Sequence, residues 1–316
     1  MFSAQRMVDW VLLVLCNLIW STQFVLVKIV QEQMGPVAAT SFPMLIAMIL
    51  LIPIVHIETR SQGGTIPKRA FRQDWTGFLT IGVLGQVAAQ LFITWGLRYS
   101  LASNGALLML ALPIVTTVMA YFLLGEKMSR VRWLSFALAA AGVVECSGVD
   151  WKELNLTGST YLLGNSLIFV SVCGSAFYNV YSKKLLVRYT PLQVLLYSYY
   201  FVVAVLIPIT FFTEPQAFHE IVHYTAKTWL GIALLAVLQY CLSMVIFLTV
   251  LARLDATQAS LSNYLIPFFG LIVAAIVLHE RLTMFMIVGG SMVLLSTLLI
   301  TVYEEHRRPK TQGIAT

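Results

Sequence analysis

Apolar runs of about twenty residues, separated by short polar segments, recur along the whole chain, and each is long enough to cross a hydrocarbon layer of roughly 30 Å as a helix. They fall at 10–30, 37–57, 75–97, 102–125, 131–149, 161–182, 192–212, 229–251, 256–278 and 284–302, the first to tenth spans. The runs lack the strict alternation of barrel strands and are too long for them, so the pattern predicts helices. The chain therefore reads as an all-α polytopic membrane protein with ten transmembrane helices.

Polar residues inside such runs are costly unless they pair or line a wet cavity. In the first span, Asn17, Trp20, Ser21 and Phe24 share a helical face, with Lys28 further along it. Gln86 and Gln90 stand one turn apart in the third span, and Asn104 lies near the outer end of the fourth. The sixth span groups Ser171, Ser175, Tyr178 and Ser182, with Asn179 at the margin. Gln239, Tyr240 and Ser243 cluster in the eighth, and Ser260, Asn263, Tyr264 and Pro267 share a face of the ninth. Spans two, five, seven and ten carry far fewer such groups. The asymmetry predicts that spans one, three, four, six, eight and nine surround a pathway for a small-molecule substrate, with the others packed outside. The competing reading is local: Ser and Thr bond their own i−4 carbonyls or a neighbouring helix.

The chain also resembles itself. Subtracting 154 maps Ala256 on Ala102, Pro267 on Pro113 and Glu280 on Glu126. At an offset of 155, Lys183 matches Lys28, Pro191 matches Pro36 and Pro208 matches Pro53. This predicts two five-span repeats, at 1–149 and 150–303, followed by a polar tail at 304–316. Five is odd, so the second copy enters the membrane inverted, a recurrent transporter plan. Pro113 and Pro267 each remove a helical hydrogen bond, as a gating hinge or as static packing. Glu126 and Glu280 sit at helix C-terminal ends, where an anion is unfavourable alone. Lys127 and Arg281 beside them predict a structural salt bridge at each turn.

Charge orients the chain. With a cytoplasmic N-terminus, fifteen Lys and Arg fall in inside segments and five in outside ones. By the positive-inside rule both termini are cytoplasmic in a multi-pass cell-membrane protein, whose other partner is membrane lipid. The net charge of +6 does not argue for nucleic acid, because the basic residues lie between spans. No cleavable signal precedes the first span. Cys16, Cys146, Cys173 and Cys241 have no CxxC spacing, so no metal site or disulfide framework is expected. HExxH, GxSxG and Walker patterns are absent, and no cofactor is implied. His56 is peripheral, and Glu145, the one clear carboxylate in a span, stands near an outer membrane interface. A membrane-embedded enzyme or a non-transporting membrane protein remain the alternatives to a carrier.

Ten spans in two repeats, with the fourth ending in Gly125-Glu126-Lys127 and the ninth in His279-Glu280-Arg281, resemble the EamA-type branch of the drug/metabolite transporter superfamily. The likeness covers about residues 10–302, and its most specific part is the proline followed by a span-end glutamate (Pro113/Glu126, Pro267/Glu280). His279 departs from the usual Gly-Glu while keeping the glutamate. The resemblance implies a secondary transporter exporting amino-acid-like compounds, other metabolites or drugs through a central cavity by alternating access.

Overall fold

A computed structural model describes residues 4–61, 68–100, 108–109, 111–125, 129–131, 133–135, 137–138, 141, 159–277 and the single positions 284, 288, 291, 292, 295, 296, 299 and 303. The fifth and tenth spans lie largely outside the described residues, as do Asn104, Glu126, Lys127, Glu145, Glu280 and Arg281. Among the described residues six helices are long and apolar enough to cross a membrane: Gln5–Val30, Pro36–Ser61, Gln73–Tyr99, Leu163–Leu185, Pro191–Thr213 and Ala226–Arg253. Ala111–Leu124 is a shorter apolar helix. The chain is thus a polytopic helical membrane protein. Large apolar side chains such as Ile57, Leu84, Phe122 and Phe212 point away from the protein, as lipid-facing residues do.

The helices outrun the apolar runs by a turn or so at several ends, because backbone hydrogen bonding continues past the last apolar residue. Their ends are capped. Pro191 occupies the first turn of the seventh span, where a missing N–H costs nothing, and Thr190 with Gln193 forms a capping box. Gly125 follows the fourth span with φ of 69°, and its N–H bonds to the Tyr121 carbonyl at 3.2 Å. The left-handed cap explains why a glycine opens the Gly-Glu-Lys triplet.

Two spans are not uniform α-helix. The third carries a π-helical segment at Ile81–Val87 and the eighth another at Leu235–Leu242. Their starts are 154 positions apart, the spacing of the sequence repeat. The ninth is broken into Ala256–Leu261, a 3₁₀ turn at Ser262–Tyr264, and Leu265–Val277. Pro267 explains the break: it has no N–H for the Asn263 carbonyl four residues back, and its ring crowds that carbonyl. Pro113 stands at the same place in its helix: it is the third residue of Ala111–Leu124, as Pro267 is of Leu265–Val277.

Two lysines paired by the sequence offset make similar contacts. Lys28 Nζ donates to the carbonyls of Leu97 and Ser100, where the third span ends. Lys183 Nζ, its counterpart, donates to the carbonyls of Leu251 and Leu254, where the eighth ends. In each case a cation answers the orphan carbonyls and negative pole of a helix C-terminus. The second and seventh spans pack antiparallel. Glu214, at the end of the seventh, accepts from the N–H groups of Val37 and Ala38 at 3.1 and 2.9 Å. At the other end Thr190 Oγ1 donates to Glu58 Oε2 at 2.9 Å. The first and eighth spans are likewise antiparallel, with Arg253–Asp9 at one end and Lys227–Glu32 at the other, each at 2.7 Å. Where the third span begins, the Tyr189 hydroxyl donates to Asp74 at 3.0 Å. Burial, then the Asp74 carboxylate, pushes that phenol up to about 12.

Candidate functional site

A cavity of about 70 Å³ lies between six spans, near the middle of the long helices. At about 10–15 Å³ per water it has room for roughly five to seven waters. Its polar wall is made by Gln23, Gln86, Gln90, Asn179 and Gln239, with Ser171, Ser175 and the polar edges of Trp20 and Tyr178. Its apolar wall includes Phe24, Ile93, Met109, Leu112, Met244 and Ile266. The described lining thus comes from the first, third, fourth, sixth, eighth and ninth spans.

Close helix packing sets the cavity's shape. At the Gly96–Gly164 crossing of the third and sixth spans, an added Cβ on Gly96 would come within 2.7 Å of the Gly164 carbonyl. This contact holds those two helices together beyond the cavity, where Ala89, Gln90 and Ile93 of the third span line it. On the side of the N-terminus the first span is tied to the eighth and ninth. Cys16 donates to the Ser243 carbonyl at 3.3 Å, and Asn17 Nδ2 donates to Ser262 Oγ at 2.9 Å.

Three glutamines from three spans form a hydrogen-bonded relay. Gln239 Nε2 donates to Gln23 Oε1 at 2.9 Å, and Gln23 Nε2 donates to Gln90 Oε1 at 2.8 Å. Gln23 is the middle member and the residue that sequence reasoning missed. Gln23 stands three residues after Trp20 and one before Phe24, so ordinary helical spacing places it beside them in the lining. The available signal was the cost of an amide in an apolar run. At the end of the relay, Gln239 Oε1 is buried with no hydrogen-bond partner.

The remaining candidates stand at different distances from the cavity. Trp20, Gln86, Gln90, Ser175, Tyr178, Asn179 and Gln239 line it. Ser243 stands behind Trp20, accepting from its Nε1 at 2.9 Å and donating to the Gln239 carbonyl at 2.5 Å. Ser21 donates to its own helix at Leu18, and the Tyr240 carbonyl accepts from Tyr199 at 2.7 Å. Asn17, Asn263 and Tyr264 are buried around the 3₁₀ turn rather than in the lining. Both amide atoms of Asn263 are buried without a partner, a costly arrangement that water or a ligand would relieve. Pro113 and Pro267 are buried in their helices and are not among the lining residues. Groups of three or more His, Cys, Asp or Glu able to hold a metal do not occur among the described residues.

The chain matches other proteins over most of its length. It is 24% identical to the "Probable terminal-alkyne amino-acid exporter" of Streptantibioticus cattleyicolor over 91% of both chains. It is 24% identical to the "Probable amino-acid metabolite efflux pump" of Escherichia coli strain K12, over 90% of this chain and 92% of that one. A solved crystal structure shares the fold with a TM-score of 0.71 at 15% identity, over 95% of this chain and 99% of the other. The model of the EamA-like transporter family matches twice, at residues 9–146 and 162–302. With almost all of both halves matched, the chain belongs to the EamA-like transporter family.

Proposed function

We propose that the chain is a secondary transporter that exports small metabolites, amino-acid-like compounds or drugs, by presenting the cavity alternately to the two sides of the membrane. One observation carries this reading: the cavity's polar wall draws on equivalent spans of both sequence halves, one and six, three and eight. Four and nine complete the lining. The names of the two exporters support outward movement of amino-acid derivatives. An enzyme is less well supported. The described lining offers amides, hydroxyls and apolar groups, without an acid–base pair or metal ligands.

The proposed architecture is ten spans in two inverted five-span repeats, at 1–149 and 150–303, with both termini and the tail at 304–316 in the cytoplasm. Parity supports it. The first and eighth spans run antiparallel, judged by the ion pairs at their two ends. Starting from the first span, crossings by the second, third, fourth, sixth and seventh alone would leave the eighth parallel to it. One further crossing, the predicted fifth span, restores the observed direction. The paired lysine caps and paired π segments support the duplication. Within this architecture the substrate binds in the cavity, and the layer tying Asn17 and Cys16 to the eighth and ninth spans is its cytoplasmic closure.

The test is a comparison of metabolites released by cells with and without the protein. The expected outcome is a defined set of small compounds whose release depends on it. An identical release profile, with the protein present in the membrane, contradicts the transport reading.

A further inference from the structure

We infer that the cavity accepts net-neutral solutes and rejects ions, and that Gln239 Oε1 is the acceptor on which the solute's hydrogen-bond donor docks. The inference rests on the reading of this cavity as the substrate site. It begins with what the described lining lacks. None of its side chains is a carboxylate, ammonium, guanidinium or imidazole. The lysines of the first and sixth spans do not supply a charge to it: Lys28 and Lys183 are committed to carbonyls at the ends of the third and eighth spans. Asp9, nearer the N-terminus of the first span, is committed to Arg253.

An ion entering such a site gives up its hydration without meeting a counter-charge, the arrangement that buried charges avoid. A neutral molecule, or a zwitterion with no net charge, meets groups suited to it. Each carboxamide presents both a donor and an acceptor. The relay uses one N–H of Gln239 and one N–H of Gln23. Its unpartnered acceptor is Gln239 Oε1, buried like Gln86 Oε1, the other lining amide oxygen without a partner. An orphan acceptor at a ligand-sized cavity calls for a donor from the ligand. The solute's donor bond would also polarise the two amide bonds behind it, so Gln23 and Gln90 report the same event. The volume of about 70 Å³ limits the occupant to a compact molecule, and the facing Phe24, Met109 and Met244 favour one with an apolar part.

The experiment uses the purified full-length chain in detergent and follows its thermal unfolding. The probes are lactamide, alanine, lactate and alaninamide, one skeleton presented as a neutral molecule, a zwitterion, an anion and a cation. At about pH 6.5 the amino group is protonated and the carboxyl ionised. Lactamide and alanine are expected to raise the unfolding temperature, with lactate and alaninamide at least about tenfold weaker. Gln239→Leu should weaken the lactamide response about tenfold. Gln239→Glu, which places a carboxylate in the cavity, should turn the preference toward alaninamide, and it keeps the test open if the leucine variant does not fold. A wild-type response dominated by lactate or alaninamide, or no response to any of the probes, overturns the inference. The two readings fail separately. A chain that binds the neutral pair but moves nothing across proteoliposomes removes transport and keeps the selectivity. A chain that transports the ions in preference to the neutral pair does the reverse.

Discussion

At the scale of single residues, Gln23 does the most to organise the cavity. Among the described residues it bonds to two other lining amides, and it joins the first span to the third and the eighth. Gln23→Leu keeps the bulk while removing both bonds. It leaves the Gln239 donor and the Gln90 acceptor to find other partners, at a cost of about 1–3 kcal/mol for each buried polar group left unpaired. Initial efflux of an exported compound should fall about tenfold or more, with the amount of monodisperse protein little changed. An unchanged rate means the relay does not serve the substrate. Most of the lining amides were legible in the sequence, because Asn and Gln in an apolar run stand out as costly. Gln23 was passed over, although it stands three residues after Trp20, a spacing that puts both on one helix face. Ser21 and Tyr240, which the sequence places on pathway-facing helix faces, are buried but not among the described lining residues.

At the scale of elements, the helices followed from the hydrophobic runs, whereas the departures from α geometry did not. A π segment adds a residue to a turn without changing which residue types the membrane selects, so Ile81–Val87 and Leu235–Leu242 leave no mark on hydropathy. The ninth-span break was readable in part, through Pro267. The two prolines match in sequence and in setting: each is the third residue of its helical segment, Ala111–Leu124 or Leu265–Val277. Their substitutions should therefore act with similar strength. Pro267→Ala restores an N–H able to reach the Asn263 carbonyl. This favours continuous helix through Ser262–Tyr264 and rotates Asn263 and Ser262 against Asn17. Transport should change by about tenfold if the two helix forms differ by roughly 1.4 kcal/mol in one facing state. Pro113→Ala restores an N–H four residues after the Met109 carbonyl in the same way and should change the rate by a comparable factor. A roughly tenfold change in one variant with less than about twofold in the other, measured side by side, contradicts this assignment.

At the scale of the whole molecule, several positions paired by the sequence offset make similar contacts. Lys28 and Lys183 cap equivalent helices, and the second and seventh spans exchange carboxylate bonds at both ends. The sequence offset could find the partners, but not that these side chains bind backbone at helix ends, because capping depends on where a helix stops in space. The central claim is that these two halves present one cavity to each side of the membrane in turn. The most direct measurement places a single cysteine at Ser175, in the cavity, in a chain whose four native cysteines are replaced. The protein is reconstituted with a known orientation, and a membrane-impermeant thiol reagent is added to one side or the other. The account predicts that Ser175→Cys is labelled from either side, and that an exported compound slows both reactions. Labelling from one side only, or from neither while transport continues, would contradict it.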